Sequence, residues 1–195
     1  MGKTRLEAFS DGVIAIIVTI MVLEMRAPHG TDWETMKPLA PKFISYGLSF
    51  LYVAIYWVNH HHLLHTVKRV SSSIMWANIN LLFWLSLIPF ATAWMGENHF
   101  ERRTVAAYAL LALLCGAAFS ILQAAIVNCH KKENELQRII KPTGWKSMGS
   151  LVMYSLAIPI ALFINPVISG WIFFLVAMIW LIPDKRIERE LGERG

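Results

Sequence analysis

The sequence predicts an all-α, polytopic membrane protein with six transmembrane helices. Of its 195 residues, 56% are hydrophobic and the mean hydropathy is +0.49, above the ~45–50% apolar content of soluble domains. Residues 43–66, 70–96 and 104–130 contain no Asp, Glu, Lys or Arg. A helix needs ~20 residues to cross ~30 Å of hydrocarbon, so each of these stretches is long enough for one crossing. Soluble bundles rarely contain such long charge-free helices, and we exclude that class.

The predicted spans follow the hydrophobic runs in order. Residues 147–183 are also free of charge but too long for one crossing, and Asn165-Pro166 divides them because proline disfavours helix at the preceding residue. We expect Pro159 to kink the fifth helix. The predicted helices are residues 4–25, 42–66, 72–95, 104–129, 147–164 and 167–183, all in one transmembrane domain, followed by a charged tail at 184–195.

Lysine and arginine in the connections predict the orientation. With the N-terminus in the cytoplasm, 13 of the 18 basic residues lie on the cytoplasmic side and 5 on the other. We therefore expect a multi-pass protein of the cell membrane with both termini in the cytoplasm. The net charge of +5 then reflects topology, and no nucleic-acid partner is predicted.

The first helix differs from the other five because it carries charges in its early turns. Arg5 and Glu7 are compatible with the headgroup region, whereas Asp11 lies about a turn and a half inside the helix. An intramembrane carboxylate is costly unless it has a partner or faces water, so we predict a partnered Asp11. Glu7 and Asp11 are four residues apart and share a face, an arrangement that suits a cation entrance, and Glu24 lies near the opposite end.

Beyond Asp11 the first helix is uncharged and presents a stripe of large aliphatic side chains. Ile16, Ile20 and Leu23 have the i, i+4, i+7 spacing of one helical face. The spacing alone leaves two interpretations open: an ordinary lipid-facing or core surface, or a functional face.

Neither the histidines nor the cysteines predict a metal site. His60–His62 and His65 lie on the second helix, but no HExxH motif or nearby acidic ligand accompanies them. We expect some of these histidines at the cytoplasmic interface and others in a polar network with the start of the first helix. Cys115 and Cys129 are ~21 Å apart along one helix, which excludes an intrasubunit disulfide.

The polar residues that open the first helix resemble the signature of a known family. The pattern is similar to the RxxxFSD motif of the transmembrane protein 175 family, the potassium channels of bacteria and animal endolysosomes, and the second helix carries a Trp-x-x-His element like theirs. The matching residues are Arg5, Phe9, Ser10 and Asp11 on the first helix and Trp57 and His60 on the second. The resemblance implies that these residues form an inter-helix network near the cytoplasmic side.

The resemblance also implies a homotetramer in which the first helix surrounds a central pore. By distance from the motif, the hydrophobic constriction falls on Ile16, Ile20 and Leu23, and Thr19 falls on a hydroxyl position associated with selectivity. The sequence lacks the TVGYG filter of ordinary potassium channels, as that family does. The implied partners are further copies of the chain, the lipid bilayer, and potassium and other monovalent cations as permeant species, with no cofactor or metal.

Three other functions are alternatives to a passive potassium-permeable channel. A secondary transporter would carry coupling carboxylates near the membrane midplane, whereas no Asp or Glu lies in the middle of any predicted span. A proton-conducting membrane protein stays open as an alternative, although no titratable group lines the predicted constriction. A membrane enzyme is disfavoured because no nucleophile–base pair or metal constellation is present, so we expect no catalysis.

Overall fold

The computed structural model describes residues 2–29, 31–130 and 144–181. The predicted charged tail at 184–195, the last two residues of the sixth predicted span and most of the basic segment between the fourth and fifth spans lie outside these residues. All regular structure in the described ranges is helical, in agreement with the predicted fold class.

Seven α-helices are present in the described part of the chain. They are α1 (Lys3–Leu23), α2 (Ala40–His65), α3 (Ser72–Ser86), α4 (Ile88–Glu97), α5 (Arg102–Cys129), α6 (Trp145–Pro159) and α7 (Pro166–Leu181). A 3-10 helix at Trp33–Leu39 precedes α2, and a π-helical turn at Ile160–Ile164 follows α6. Within residues 2–29, 31–130 and 144–181, five segments are long and apolar enough to cross a membrane, with α3 and α4 counted as one. Helix α7 is apolar but 16 residues long.

The third predicted span is interrupted at Leu87 and forms two helices. Pro89 has no backbone N–H and cannot donate to the carbonyl four residues earlier. The Leu87 N–H instead donates to the Trp84 carbonyl at 3.2 Å, and α4 begins at Ile88. The two helices still form one apolar segment, Ser72–Glu97.

The hairpin predicted at Asn165-Pro166 is present, with local bonds that end one helix and begin the next. After Pro159 the α-geometry gives way to a π turn, in which the Asn165 N–H donates to the Ile160 carbonyl at 2.9 Å. The Asn165 side-chain oxygen accepts from the Val167 N–H at 2.9 Å. Where a kink is predicted at Pro159, the structure has a change from α to π geometry.

The helices pack so that α1 lies against α2, α3 and α4, while α5 packs against α3, α6 and α7. α2 and α4 approach each other closely at Gly96. A Cβ atom there would overlap the Ser45 hydroxyl oxygen and lie 2.9 Å from the Lys42 Cα. The same end of the bundle has an ion pair between Lys42 and Glu97, whose Nζ and Oε1 atoms are 2.9 Å apart.

Candidate functional site

The first helix has one face in contact with its own subunit and an opposite face that no other described residue covers. The buried positions repeat at spacings of three and four residues, which places them on one side of the helix. They are Leu6, Ser10, Ile14, Ile17 and Met21. The opposite side is exposed along the whole length of α1. The exposed residues of this side are Thr4, Arg5, Ala8, Phe9, Gly12, Ala15, Ile16, Thr19, Ile20, Val22 and Leu23.

The aliphatic stripe singled out in the sequence lies entirely on this exposed face. The exposed fractions are 58% for Ile16, 41% for Ile20 and 76% for Leu23. Thr19 is exposed between them and its hydroxyl donates to the Ile16 carbonyl at 2.9 Å, which leaves the oxygen lone pairs of Thr19 open to the same side. A membrane helix that leaves isoleucines and a threonine uncovered on one face is suited to contact a lipid phase, a second subunit or a permeant ion.

The carboxylate of Asp11 is held by α2. The Trp57 indole N–H donates to the Asp11 Oδ1 at 3.0 Å, because the C-terminal half of α2 lies beside the N-terminal half of α1. Within the described ranges, no Lys or Arg lies within ion-pair distance of Asp11. Among the described residues, the partner of the Asp11 carboxylate is thus the neutral indole of Trp57.

A second and fully buried chain of hydrogen bonds joins three helices at the same depth. The Asn78 amide nitrogen on α3 donates to the Ser10 hydroxyl at 2.9 Å, and the Asn78 Oδ1 lies 2.6 Å from the His60 Nε2 on α2. Ser10 in turn donates to the Leu6 carbonyl at 2.8 Å. All three side chains have exposed fractions of 1% or less, so the network excludes water and fixes the orientation of α1.

Asn78 is the one member of this network that was not predicted from the sequence. The available signal was an amide within a long charge-free run, where an unpartnered polar group is costly. That signal is ambiguous because Asn80 lies two residues further along the same run and makes no side-chain hydrogen bond to any described residue.

Two motif residues lie outside the network in the single chain. Arg5 is exposed and forms no ion pair with the described residues, and Phe9 is 53% exposed on the same face as Ile16. The structure therefore brings Ser10, Asp11, Trp57 and His60 together through two separate sets of hydrogen bonds and leaves Arg5 and Phe9 facing away from the subunit.

The acidic residues near the ends of α1 differ in their surroundings. Glu7 is partly buried and lies 3.8 Å from the Lys3 Nζ, which also donates to the His65 carbonyl at the C-terminus of α2 at 2.8 Å. A cation in this position stabilises the negative end of the helix dipole. Glu24 follows the last residue of α1 and is exposed.

The remaining histidines of α2 lie close together on the helix surface. The ring centroid of His61 is 6.1 Å from that of Trp57, 5.9 Å from that of His62 and 6.4 Å from that of His65. The described residues contain no group of three or more His, Cys, Asp or Glu side chains placed to hold a metal ion.

Comparisons with known proteins agree on one family. A family profile described as endosomal/lysosomal potassium channel TMEM175 matches residues 5–89. A potassium channel of Chryseobacterium sp. strain P1-3 is 49% identical over 193 residues, which cover 99% of this chain and the full length of that protein. A potassium channel of Streptomyces collinus is 35% identical over 126 residues, 60% of this chain and 61% of that protein. The endosomal/lysosomal proton channel TMEM175 of Gallus gallus is 30% identical over 103 residues, 47% of this chain and 21% of that protein.

Solved structures lead to the same result. The crystal structure of a lysosomal potassium-selective channel TMEM175 homologue from Chamaesiphon minutus superposes with a TM-score of 0.78 at 27% identity, covering 92% of this chain and 96% of that one. A variant of the potassium channel MtTMEM175 has the same fold, with a TM-score of 0.69 at 17% identity over 95% of this chain and 93% of that one. With a full-length relative at 49% identity and a family profile over the motif helices, this chain belongs to the TMEM175 family of multi-pass membrane ion channels.

Proposed function

We propose that this chain is a potassium-permeable cation channel in which four copies surround a central pore lined by α1. The observation that carries the proposal is the uncovered face of α1, with Ile16, Thr19, Ile20 and Leu23 exposed in the single subunit. One subunit cannot enclose an aqueous path on that face. A closed ring of subunits would turn the four copies of the face toward a common axis, as closed symmetry allows.

The chemistry of this face suits passive conduction. Rings of Ile16, Ile20 and Leu23 would form an aliphatic constriction that gates by dewetting. The four Thr19 hydroxyl oxygens would offer acceptors to a dehydrated cation between these rings. No cofactor takes part, because potassium is the permeant species and the path consists of side chains of α1.

Charges at the two ends of α1 would attract cations to the pore. Glu7 and Asp11 lie toward one end and Glu24 toward the other, so four subunits would present acidic groups toward both mouths, unless Arg5 and Arg26 neutralise them. The loop charges support a cell-membrane protein with both termini in the cytoplasm. In that orientation Asp11 and Trp57 would lie near the cytoplasmic mouth.

Planar-bilayer recording of the purified protein in asymmetric KCl and NaCl tests the conduction proposal. We expect single-channel currents whose reversal potential follows the potassium gradient. A reversal potential that ignores this gradient, or the absence of current, would overturn the proposal. A native mass that corresponds to a monomer in a conducting preparation would overturn the tetrameric pore but leave the activity standing.

A polar substitution in the stripe locates the constriction. We expect Ile20→Asn and Leu23→Asn to increase the single-channel conductance, because an amide hydrates a hydrophobic constriction. Leu110→Asn is the matched control, since Leu110 is also an exposed aliphatic residue, 47% accessible, but lies on α5. An increase in the Leu110 variant of the same size, or none in either α1 variant, would place the constriction elsewhere.

Proton conduction is the second candidate, favoured by the similarity of about half of this chain to vertebrate relatives named proton channels. Recording under a pH gradient at equal potassium on both sides separates the two. A reversal potential at zero supports the potassium channel, and one that follows the pH gradient supports proton conduction.

A further inference from the structure

A cavity of about 30 Å³ lies among α2, α5, α6 and α7. One water molecule needs ~10–15 Å³ of such space, so the cavity has room for about two. Gly116 on α5 lines it and has no side chain to fill the gap beside Tyr56, since a Cβ atom there would lie 3.9 Å from the Tyr56 hydroxyl. The walls also include Asn59 of α2, Ser120 of α5 and Ser147 of α6. Polar groups of three helices therefore surround a space of molecular-water size.

Two hydroxyl groups and one amide oxygen on these walls have no partner within the described ranges. The side chains of Tyr56 and Ser147 form no hydrogen bond to any described residue. The Asn59 amide nitrogen donates within its own helix at 2.8 Å, which leaves the Asn59 Oδ1 unbonded. The Ser120 hydroxyl donates to a carbonyl one turn earlier at 3.0 Å and keeps its lone pairs. The walls thus offer two donors and two acceptors, and such groups are costly to leave unpaired inside a membrane protein.

The other hydrogen-bonding side chains of the walls are already satisfied. The Trp180 indole N–H donates to the Ser150 hydroxyl at 2.8 Å, and that hydroxyl donates to the Lys146 carbonyl at 2.7 Å. Tyr154 is hydrogen-bonded to Tyr52. The unused hydrogen-bonding capacity of this cavity is therefore confined to the four groups named above.

A second, smaller cavity provides an internal comparison. Its volume is about 10 Å³, and Tyr108 and Cys115 are among the residues that line it. The Tyr108 hydroxyl is hydrogen-bonded to Ser49 at 2.9 Å, and the surface that faces this cavity is apolar. Apolar cavities in proteins stay dry, so we expect no water beside Tyr108.

We propose that the larger cavity binds two ordered water molecules that join α2 to α5 and α6. The waters accept the hydrogens of the Tyr56 and Ser147 hydroxyls and donate to the Asn59 Oδ1 and the Ser120 Oγ. A bridging water is nearly as favourable in enthalpy as a direct hydrogen bond, so the site replaces direct bonds that these helices do not make.

The position of this site gives it a role in holding α2. The neighbouring residues Trp57 and His60 contact α1 and α3 through Asp11 and Asn78, while Tyr56 and Asn59 face the cavity. Polar contacts thus fix the same two turns of α2 from two directions, one of them through water. The proposal holds whether or not the chain conducts potassium.

Hydroxyl-radical footprinting tests the site without requiring channel activity. The purified protein in phosphatidylcholine nanodiscs is exposed to X-ray pulses in H₂¹⁸O, and the oxidised side chains are located by mass spectrometry. Radicals formed from a bound water oxidise the side chains beside it. We expect rapid ¹⁸O labelling of Tyr56 and background labelling of Tyr108, a tyrosine of the same bundle beside the apolar cavity.

Two variants and a matched control separate bound water from bulk water. Gly116→Ala places a methyl group in the cavity and should reduce the labelling of Tyr56 to the level of Tyr108. Gly149→Ala on α6 adds the same group where no atom lies within 4 Å and should leave it unchanged. Asn59→Leu has a similar size but removes the acceptor and should also reduce it. Labelling of the half-buried Tyr46, outside the cavity, should stay constant in all three variants.

The proposal is overturned if Tyr56 in the unaltered protein is labelled no faster than Tyr108, which would mean a dry cavity. It is also overturned if Gly116→Ala leaves the labelling of Tyr56 unchanged, because bulk water would then be its source. If Gly116→Ala does not fold, unchanged labelling in Asn59→Leu overturns the proposal in the same way.

Discussion

Removal of the Asn78 side chain should loosen the attachment of α1 to the rest of the subunit. The Asn78 amide makes two interhelical hydrogen bonds, at 2.9 Å to Ser10 and at 2.6 Å to His60. Such bonds average ~0.6 kcal/mol in a membrane protein and reach ~1.7 kcal/mol, so two of them contribute ~1–3 kcal/mol. Asn78→Ala also leaves the buried His60 nitrogen without its partner, which places the expected loss in the upper half of that range.

The assay is reversible unfolding of the purified protein in mixed micelles, with the free energy of unfolding compared between variants. Asn80→Ala is the matched control, because Asn80 is the same residue type on α3 without a side-chain hydrogen bond to the described residues. A double-mutant cycle between Ser10→Ala and Asn78→Ala isolates one bond, and we expect a coupling energy of ~0.6–1.7 kcal/mol. Equal losses in the Asn78 and Asn80 variants, or a coupling energy of zero, would refute the network.

Two further substitutions test helix contacts. Gly96→Ala should lower the free energy of unfolding by ~1–3 kcal/mol, because the added methyl group overpacks the contact with Lys42. Gly47→Ala on α2 has open space around it and should show no such loss. Trp57→Phe removes the indole N–H that donates to the Asp11 carboxylate and should lower the free energy of unfolding by ~1 kcal/mol. This loss is smaller than for a fully buried hydrogen bond to a charged group, because Trp57 is 44% exposed. Trp76→Phe, at a more exposed indole, is its control, and equal effects in the two tryptophan variants would argue against the bond.

Helix existence was predictable because it depends on local composition. A charge-free run of more than twenty residues must form a helix in a bilayer, where every backbone polar group needs an internal partner. The interruption at Leu87 could also have been predicted from the sequence, because Pro89 lacks the backbone N–H that a continuous helix needs at that position. The prediction of one continuous helix at 72–95 followed the long apolar run and did not account for Pro89.

The polar network was only partly predictable because its bonds join residues distant in the chain. The cost of an intramembrane carboxylate required a partner for Asp11, and the predicted orientation placed Trp57 and His60 at the same depth. The sequence could not choose between Asn78 and Asn80, since they differ only in which side of α3 faces α1 and α2.

For α1 itself, the sequence alone determined that a charged start, a threonine and an aliphatic stripe share one membrane helix, because helical periodicity assigns residues to faces. It left open whether the stripe was packed against the subunit or uncovered. Tertiary structure decided this, since Leu6, Ser10, Ile14, Ile17 and Met21 occupy the contact with α2, α3 and α4. A helix can turn only one side toward its own bundle, so the opposite side, with Ile16, Ile20 and Leu23, remains open.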